Sequence, residues 1–155
     1  VFTVSKVLCP VDFSGESARA LEAALAAVAA HDAELYLLYV VEGPAAADGG
    51  TYDHTRVEAG KEALRQRLAA LVEETTPDLK PHLLVSDGDP AEEILRMEEI
   101  FGIDLIVLAP HGRPTLGKII FGSVSDKVSR GSRAHLLIVK NRPDGELPEL
   151  DADEL

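Results

Sequence analysis

Leu105-Ile106-Val107-Leu108-Ala109-Pro110-His111-Gly112, followed after nine intervening residues by Gly122-Ser123-Val124-Ser125, decides how this chain is read. Four successive apolar residues suit a strand buried on both faces, the kind found in a parallel sheet covered by helices. The run ends at a glycine turn, and a second glycine with a hydroxyl residue then opens a helix. Glycine allows close backbone approach and can adopt positive φ, while the free N–H groups and positive dipole end of a helix favour an anion. Two such elements facing one another form a phosphate cradle. Taken singly, Gly112 is also readable as a plain turn residue and Gly122-Ser123 as a plain helix cap.

Working outward, four more short runs rich in Val, Ile and Leu alternate with helical patterns: Val7 to Val11, Leu35 to Val41, His82 to Ser86 and Leu136 to Val139. A first helix is predicted from near Ser14, with Ala20, Leu21, Ala24, Leu25 and Val28 as its buried stripe. A second covers roughly Thr55 to Thr75, where Leu64, Leu68 and Leu71 recur at helical spacing. Asp89-Pro90-Ala91-Glu92-Glu93 reads as an N-cap, a proline in the first turn and acidic company for the helix dipole, so a third helix runs to about Phe101 and Gly102 closes it. A fourth begins around Gly122. The alternation predicts an α/β fold, an open doubly wound parallel sheet with helices on both faces. Ligands in such sheets sit beyond the carboxyl ends of the strands, where strand order reverses. Asp12 follows the first strand and His111-Gly112 the fourth, so both point to one crevice.

Length and composition bound the rest. The 155 residues, 46% of them apolar, suit one α/β domain over residues 1–143 with its own core. No run of uncharged apolar residues is long enough to span a membrane, and no secretory signal is visible. Half of the net charge of -12 is carried by Asp144, Glu146, Glu149, Asp151, Asp153 and Glu154, which mark residues 144–155 as an acidic, flexible tail. That balance argues against nucleic acid as a partner. The single cysteine, Cys9, sits in an apolar run and is expected as a buried small hydrophobe, in keeping with a reducing cytoplasmic compartment. Glu42 to Tyr52, rich in Gly, Pro and Ala, reads as a loop after the second strand.

Several motifs are ruled out. No Gly-Lys-Ser/Thr follows the glycines, so this is not a Walker loop. Pro10-Val11-Asp12-Phe13 stands where a dinucleotide fingerprint needs glycines. Neither a zinc spacing nor a serine-histidine-acid set is apparent. A phospho-accepting receiver domain would pair acids after the first strand with an acceptor after the third, and only Asp87 stands there. Asp12 itself has two open readings, an acceptor for a ribose hydroxyl or a cap for the first helix.

From about Lys6 to Lys140 the chain resembles the universal stress protein family. The likeness is carried by Ala109 through Ser125, which is similar to the family's Gly-x2-Gly-x9-Gly-Ser/Thr motif, by Pro10-Val11-Asp12-Phe13-Ser14, and by Gly88-Asp89-Pro90 before Asp104-Leu105-Ile106-Val107. The resemblance implies five parallel strands in the order 3-2-1-4-5, binding of ATP, and a homodimer that senses or regulates stress through a protein partner. It implies that Asp12 and Val40 meet the adenine and ribose, that Pro10 and Leu108 wall the base, that Gly112 approaches the phosphates, and that Gly122, Ser123 and Val124 offer them N–H groups and a hydroxyl. Ala109 stands where the motif has its first glycine. If that backbone needs positive φ, a β-carbon there costs roughly 1 to 2 kcal/mol.

Two function classes follow. The first is an ATP-binding regulatory module with no strong catalysis. The second is a slow ATP hydrolase or nucleotidyl-transferring enzyme in the same cleft, using His111 and neighbouring cations. Arg113, Lys118, Lys127 and Arg130 surround the cradle as candidates to offset phosphate charge, and magnesium or manganese suits the phosphates. The last strand, Leu136-Leu137-Ile138-Val139, is the expected dimer edge, since an unpaired apolar edge invites association.

Overall fold

The computed structural model describes residues 2–41, 54–110 and 122–140, with the backbone alone for residues 54–56. His111, Gly112, Arg113, Lys118, the segment from Glu42 to Tyr52 and the acidic tail lie outside the described residues. Strands and helices alternate: β1 (Lys6–Pro10), α1 (Gly15–His31), β2 (Glu34–Val41), α2 (His54–Glu73), β3 (His82–Asp87), α3 (Pro90–Phe101), β4 (Leu105–Leu108), α4 (Ser123–Gly131) and β5 (His135–Ile138). The strands form one parallel sheet in the order β3-β2-β1-β4-β5.

Alternate residues of the central strands feed two cores. On one face Val7, Cys9, Leu35, Leu37, Leu105 and Val107 pack with Ala20, Leu21, Ala24 and Val28 of α1 and Leu68 and Val72 of α2. On the other, Leu8, Tyr36, Leu38, Ile106 and Leu108 pack with Ala91, Ile94 and Met97 of α3 and Val128 of α4. Both sides of β1, β2 and β4 are therefore apolar, which explains why these strands read as continuous hydrophobic runs rather than alternating ones. Leu25, expected in the α1 stripe, is only partly buried, while Ser17 takes a buried place one turn before Ala20.

Local chemistry sets the ends of the helices. Ser14 caps α1 by accepting the Ser17 N–H at 3.2 Å. Asp89 caps α3 by accepting the Glu92 N–H at 3.1 Å, Pro90 fills the first turn, and Gly102 closes the helix in the left-handed region at φ 65°. The carboxylate of Asp104 accepts the N–H groups of Ser5 and Lys6 at 2.8 and 3.1 Å, fastening the start of β1 to the start of β4.

Strand order reverses between β1 and β4, whose chains continue outward to opposite edges. Their ladder pairs Val7 with Leu105 and Leu8 with Ile106. It stops short of Pro10, which has no N–H to donate. The carboxyl ends of β1 and β4 thus open into a crevice at the switch point.

Candidate functional site

The crevice is a cavity of about 660 Å³ at the carboxyl rim of the sheet. Such a volume falls within the range usual for small-molecule sites, about 300–1,000 Å³. Its floor is made by the ends of three strands: Pro10 at the end of β1 with Val11 and Asp12 after it, Leu38 to Val41 on β2, and Leu108 at the end of β4 with Ala109 after it. Pro90 and Ile94 of α3 form one wall and Gly122 to Ser125 at the start of α4 the other. The cavity therefore gathers Pro10, Asp12, Val40, Leu108, Ala109, Gly122, Ser123 and Val124, the sequence-predicted site residues that are described. His111 and Gly112 lie outside the described residues.

Sequence reasoning missed the α3 wall. Pro90 and Ile94 sit four apart on one helix face, a signal visible in the sequence, but only the packing of α3 over Leu38 and Leu108 shows which rim that face overlooks. Val11, Tyr39, Val41 and Ser125 were also missed, being neighbours of predicted positions.

The structure decides between the two readings of Asp12 as far as the cap is concerned. Ser14 caps α1, whereas Asp12 braces the turn before the helix: its Oδ1 accepts the Ser14 N–H at 3.0 Å, and its own N–H donates to Ser17 Oγ at 3.3 Å. Ser17 Oγ in turn donates to the Ser14 carbonyl at 3.1 Å. The Asp12 carboxyl is exposed at the cavity and held in place by backbone.

At the opposite wall α4 starts without a side-chain cap. Its first helical bond runs from the Asp126 N–H to the Gly122 carbonyl at 3.1 Å. The preceding amides of Ser123, Val124 and Ser125 are those that a helix leaves without intrahelical partners, and they lie at the cavity. Gly122 has φ -55°, a value any residue adopts, so its usefulness lies in its small size rather than in a left-handed backbone. Ala109 is likewise absent from the positive-φ positions, which among described non-glycine residues are Phe13 at 63° and Asp32 at 51°. The strain that alanine would suffer in place of the motif's glycine does not arise.

Among the described residues, three ion pairs stand on the elements around the mouth. Lys127 meets Asp89 at 3.5 Å, Arg130 meets Asp126 at 3.3 Å, and Lys61 meets Asp87 at 3.0 Å. The Glu92 N–H holds the Asp89 carboxyl below the usual carboxylate range against slight desolvation, with help from the Lys127 ammonium. Asp87 ends β3, which is separated from β1 by β2. Two strand spacings, roughly 9 to 10 Å, therefore separate its strand from the one preceding Asp12, and no receiver-like acid pair forms. Among the described residues no three His, Cys, Asp or Glu side chains converge as a metal site, and no helix is long and apolar enough to cross a membrane.

Comparison with known proteins matches this architecture. The Universal stress protein family profile covers residues 3–140. Universal stress protein MJ0531 of Methanocaldococcus jannaschii is 32% identical over 87% of this chain and 81% of its own, and universal stress protein YxiE of Bacillus subtilis is 33% identical over 88% and 99%. Among solved structures, MJ0577 of Methanocaldococcus jannaschii superposes with a TM-score of 0.75 at 26% identity, covering 92% of this chain and all of that one. Two others share the fold: a universal stress protein in complex with cAMP, at TM-score 0.67 and 22% identity over 90% of this chain and 98% of its own, and one from Archaeoglobus fulgidus in complex with dAMP, at TM-score 0.58 and 20% identity over 89% and 98%. With the family profile spanning nearly all of the described sheet and helices, this chain belongs to the universal stress protein family.

Proposed function

We propose that the rim cavity binds ATP and that the protein is a homodimeric regulatory module of the stress response, acting in the cytoplasm through a protein partner. The observation that carries this reading is the opposition, across one cavity, of the exposed Asp12 carboxyl and the uncapped first turn of α4. An anion-seeking helix end and an acceptor for sugar hydroxyls suit the two polar ends of a nucleotide. The apolar surfaces of Pro10, Val40, Leu108 and Ile94 between them suit the base. The cAMP and dAMP complexes of two fold relatives support an adenine nucleotide as the ligand class.

In this reading Asp12 orients the ribose, and the amides of Ser123 and Val124 with the Ser123 hydroxyl hold the phosphates, joined by Gly112. A magnesium or manganese ion enters as a companion of the phosphates, bound mainly by their oxygens and by water, because the described residues supply no ligand cluster of their own. Homodimerisation is proposed through β5, an edge strand by topology, where Leu137 is 42% exposed. The nearby Phe2 ring, also exposed, rests on His135 at 4.8 Å and extends the apolar strip.

Purified protein, washed and then denatured, tests the reading: chromatography of the released small molecules is expected to give an adenine nucleotide, and sedimentation a dimer that Leu137→Lys weakens. Release of no nucleotide, together with no uptake of added ATP, would remove the ligand assignment. A monomer at micromolar concentration would remove the assembly.

A further inference from the structure

Phe13, immediately after Asp12, has φ 63°. Bulky aromatic residues rarely enter this left-handed region, and such a conformation persists only where the surroundings over-determine it. Here the ring packs against the core on the α1–α2 face of the sheet, and two further side chains flank it. The guanidinium carbon of Arg67, on α2, lies 3.9 Å from the centroid of the Phe13 ring, and the Tyr39 ring lies 5.2 Å away on the β2 side, tilted by 33°. The first distance is well inside the roughly 6 Å reach of a cation–π contact. Among the described residues Arg67 makes no ion pair, and its guanidinium rests on this ring.

The strained residue is also the middle of a brace. Asp12 Oδ1 accepts the N–H of Ser14, two residues on, so the path of the chain through Phe13 fixes where that carboxylate sits. We propose that Phe13 and Arg67 are positioning residues for the cavity: the Arg67–Phe13–Tyr39 stack holds the left-handed turn, and the turn aims the Asp12 carboxylate at the sugar. Neither Phe13 nor Arg67 lines the cavity; Tyr39 and Asp12 do. The stack thus links α2, on one face of the sheet, to ribose recognition at the rim. This inference rests on the assignment of the cavity to ATP and of Asp12 to a ribose hydroxyl.

Calorimetric titration with ATP and with 2′,3′-dideoxy-ATP, which lacks both ring hydroxyls, isolates the contact. A hydrogen bond to a charged group predicts that the unaltered protein prefers ATP by about ten-fold or more. Arg67→Gln, at an exposed position, and Phe13→Asn, which keeps a residue tolerant of positive φ but removes the ring, are each expected to bring that preference to within about two-fold of unity while dideoxy-ATP binds as before. Phe13→Tyr, which keeps an aromatic face, is expected to retain it. A preference unchanged in Arg67→Gln and Phe13→Asn overturns the positioning role and leaves the nucleotide reading intact, as does an equal loss of affinity for both nucleotides. No preference in the unaltered protein overturns the Asp12 assignment, and the positioning role with it.

Discussion

Lys127 on α4 lies 3.5 Å from the carboxylate of Asp89, the residue that caps α3, so the two helices that wall the cavity meet at its mouth. The side chains are 59% and 40% exposed, and pairs so open to solvent contribute little to stability. The Glu92 N–H donating into Asp89 is the larger influence on its carboxyl, which lies below its ordinary value of 3.8. A depressed carboxyl in the folded state stabilises above the unfolded value, and that contribution is lost as pH falls through the folded one. Lys127→Met is therefore expected to leave the urea midpoint nearly unchanged near neutrality. Asp89→Asn, which keeps an acceptor at the cap, should lower the midpoint at about pH 7, and the gap should narrow as pH falls below the ordinary carboxyl value and through the lowered folded one. A gap that persists unchanged into acid would show that charge at Asp89 is not its source.

One substitution type should change sign with position. Gly60 lies exposed inside α2, and a β-carbon there meets nothing within 4 Å. Gly60→Ala is expected to stabilise by about 0.5 to 1 kcal/mol through helix propensity. Gly102 also has open space around it but sits at φ 65°, so Gly102→Ala is expected to destabilise by roughly 1 to 2 kcal/mol. Chemical denaturation of the two variants gives both numbers, and equal signs would refute the backbone explanation.

Cys9 lies in the core between β1 and α1, with none of its surface exposed, and burial pushes its thiol up to about 12. A disulfide reagent at neutral pH is expected to label it only as fast as the protein opens, with full labelling in denaturant. Prompt labelling of the folded protein would contradict its burial.

Ala109 offers a test of how the phosphate loop uses its glycines. Because Ala109 carries no left-handed strain, Ala109→Gly is expected to change ATP affinity by less than about three-fold. A gain of ten-fold or more would mean that the loop adopts another backbone when nucleotide is bound.

The sheet was legible in the sequence wherever a residue's own chemistry sets its conformation. Ser14, Asp89-Pro90 and Gly102 mark helix ends through their side-chain acceptors, the fixed proline φ and the freedom of glycine, and each stands where expected. Strand ends were less legible, because a ladder stops where its partner does: β1 begins at Lys6, whose N–H is taken by Asp104, and ends at Pro10. The strand-end residues at the rim were readable from the switch-point rule, whereas Pro90 and Ile94 joined them through packing between elements distant in sequence. Phe13 lay beyond reach for a different reason. Its left-handed backbone runs against aromatic preference, and its ring is covered by Arg67, which the chain supplies from α2.

The assignment of the cavity is tested most directly by following backbone amide resonances while ATP and magnesium are added. Saturable shifts concentrated at Ser123, Val124 and Ser125 on one side and at Asp12, Val40 and Val41 on the other are expected. Absence of saturable shifts at millimolar nucleotide, or shifts centred on Gly102, Gly131 and Arg133 at the carboxyl ends of α3 and α4, would contradict a nucleotide site at the carboxyl rim of the sheet.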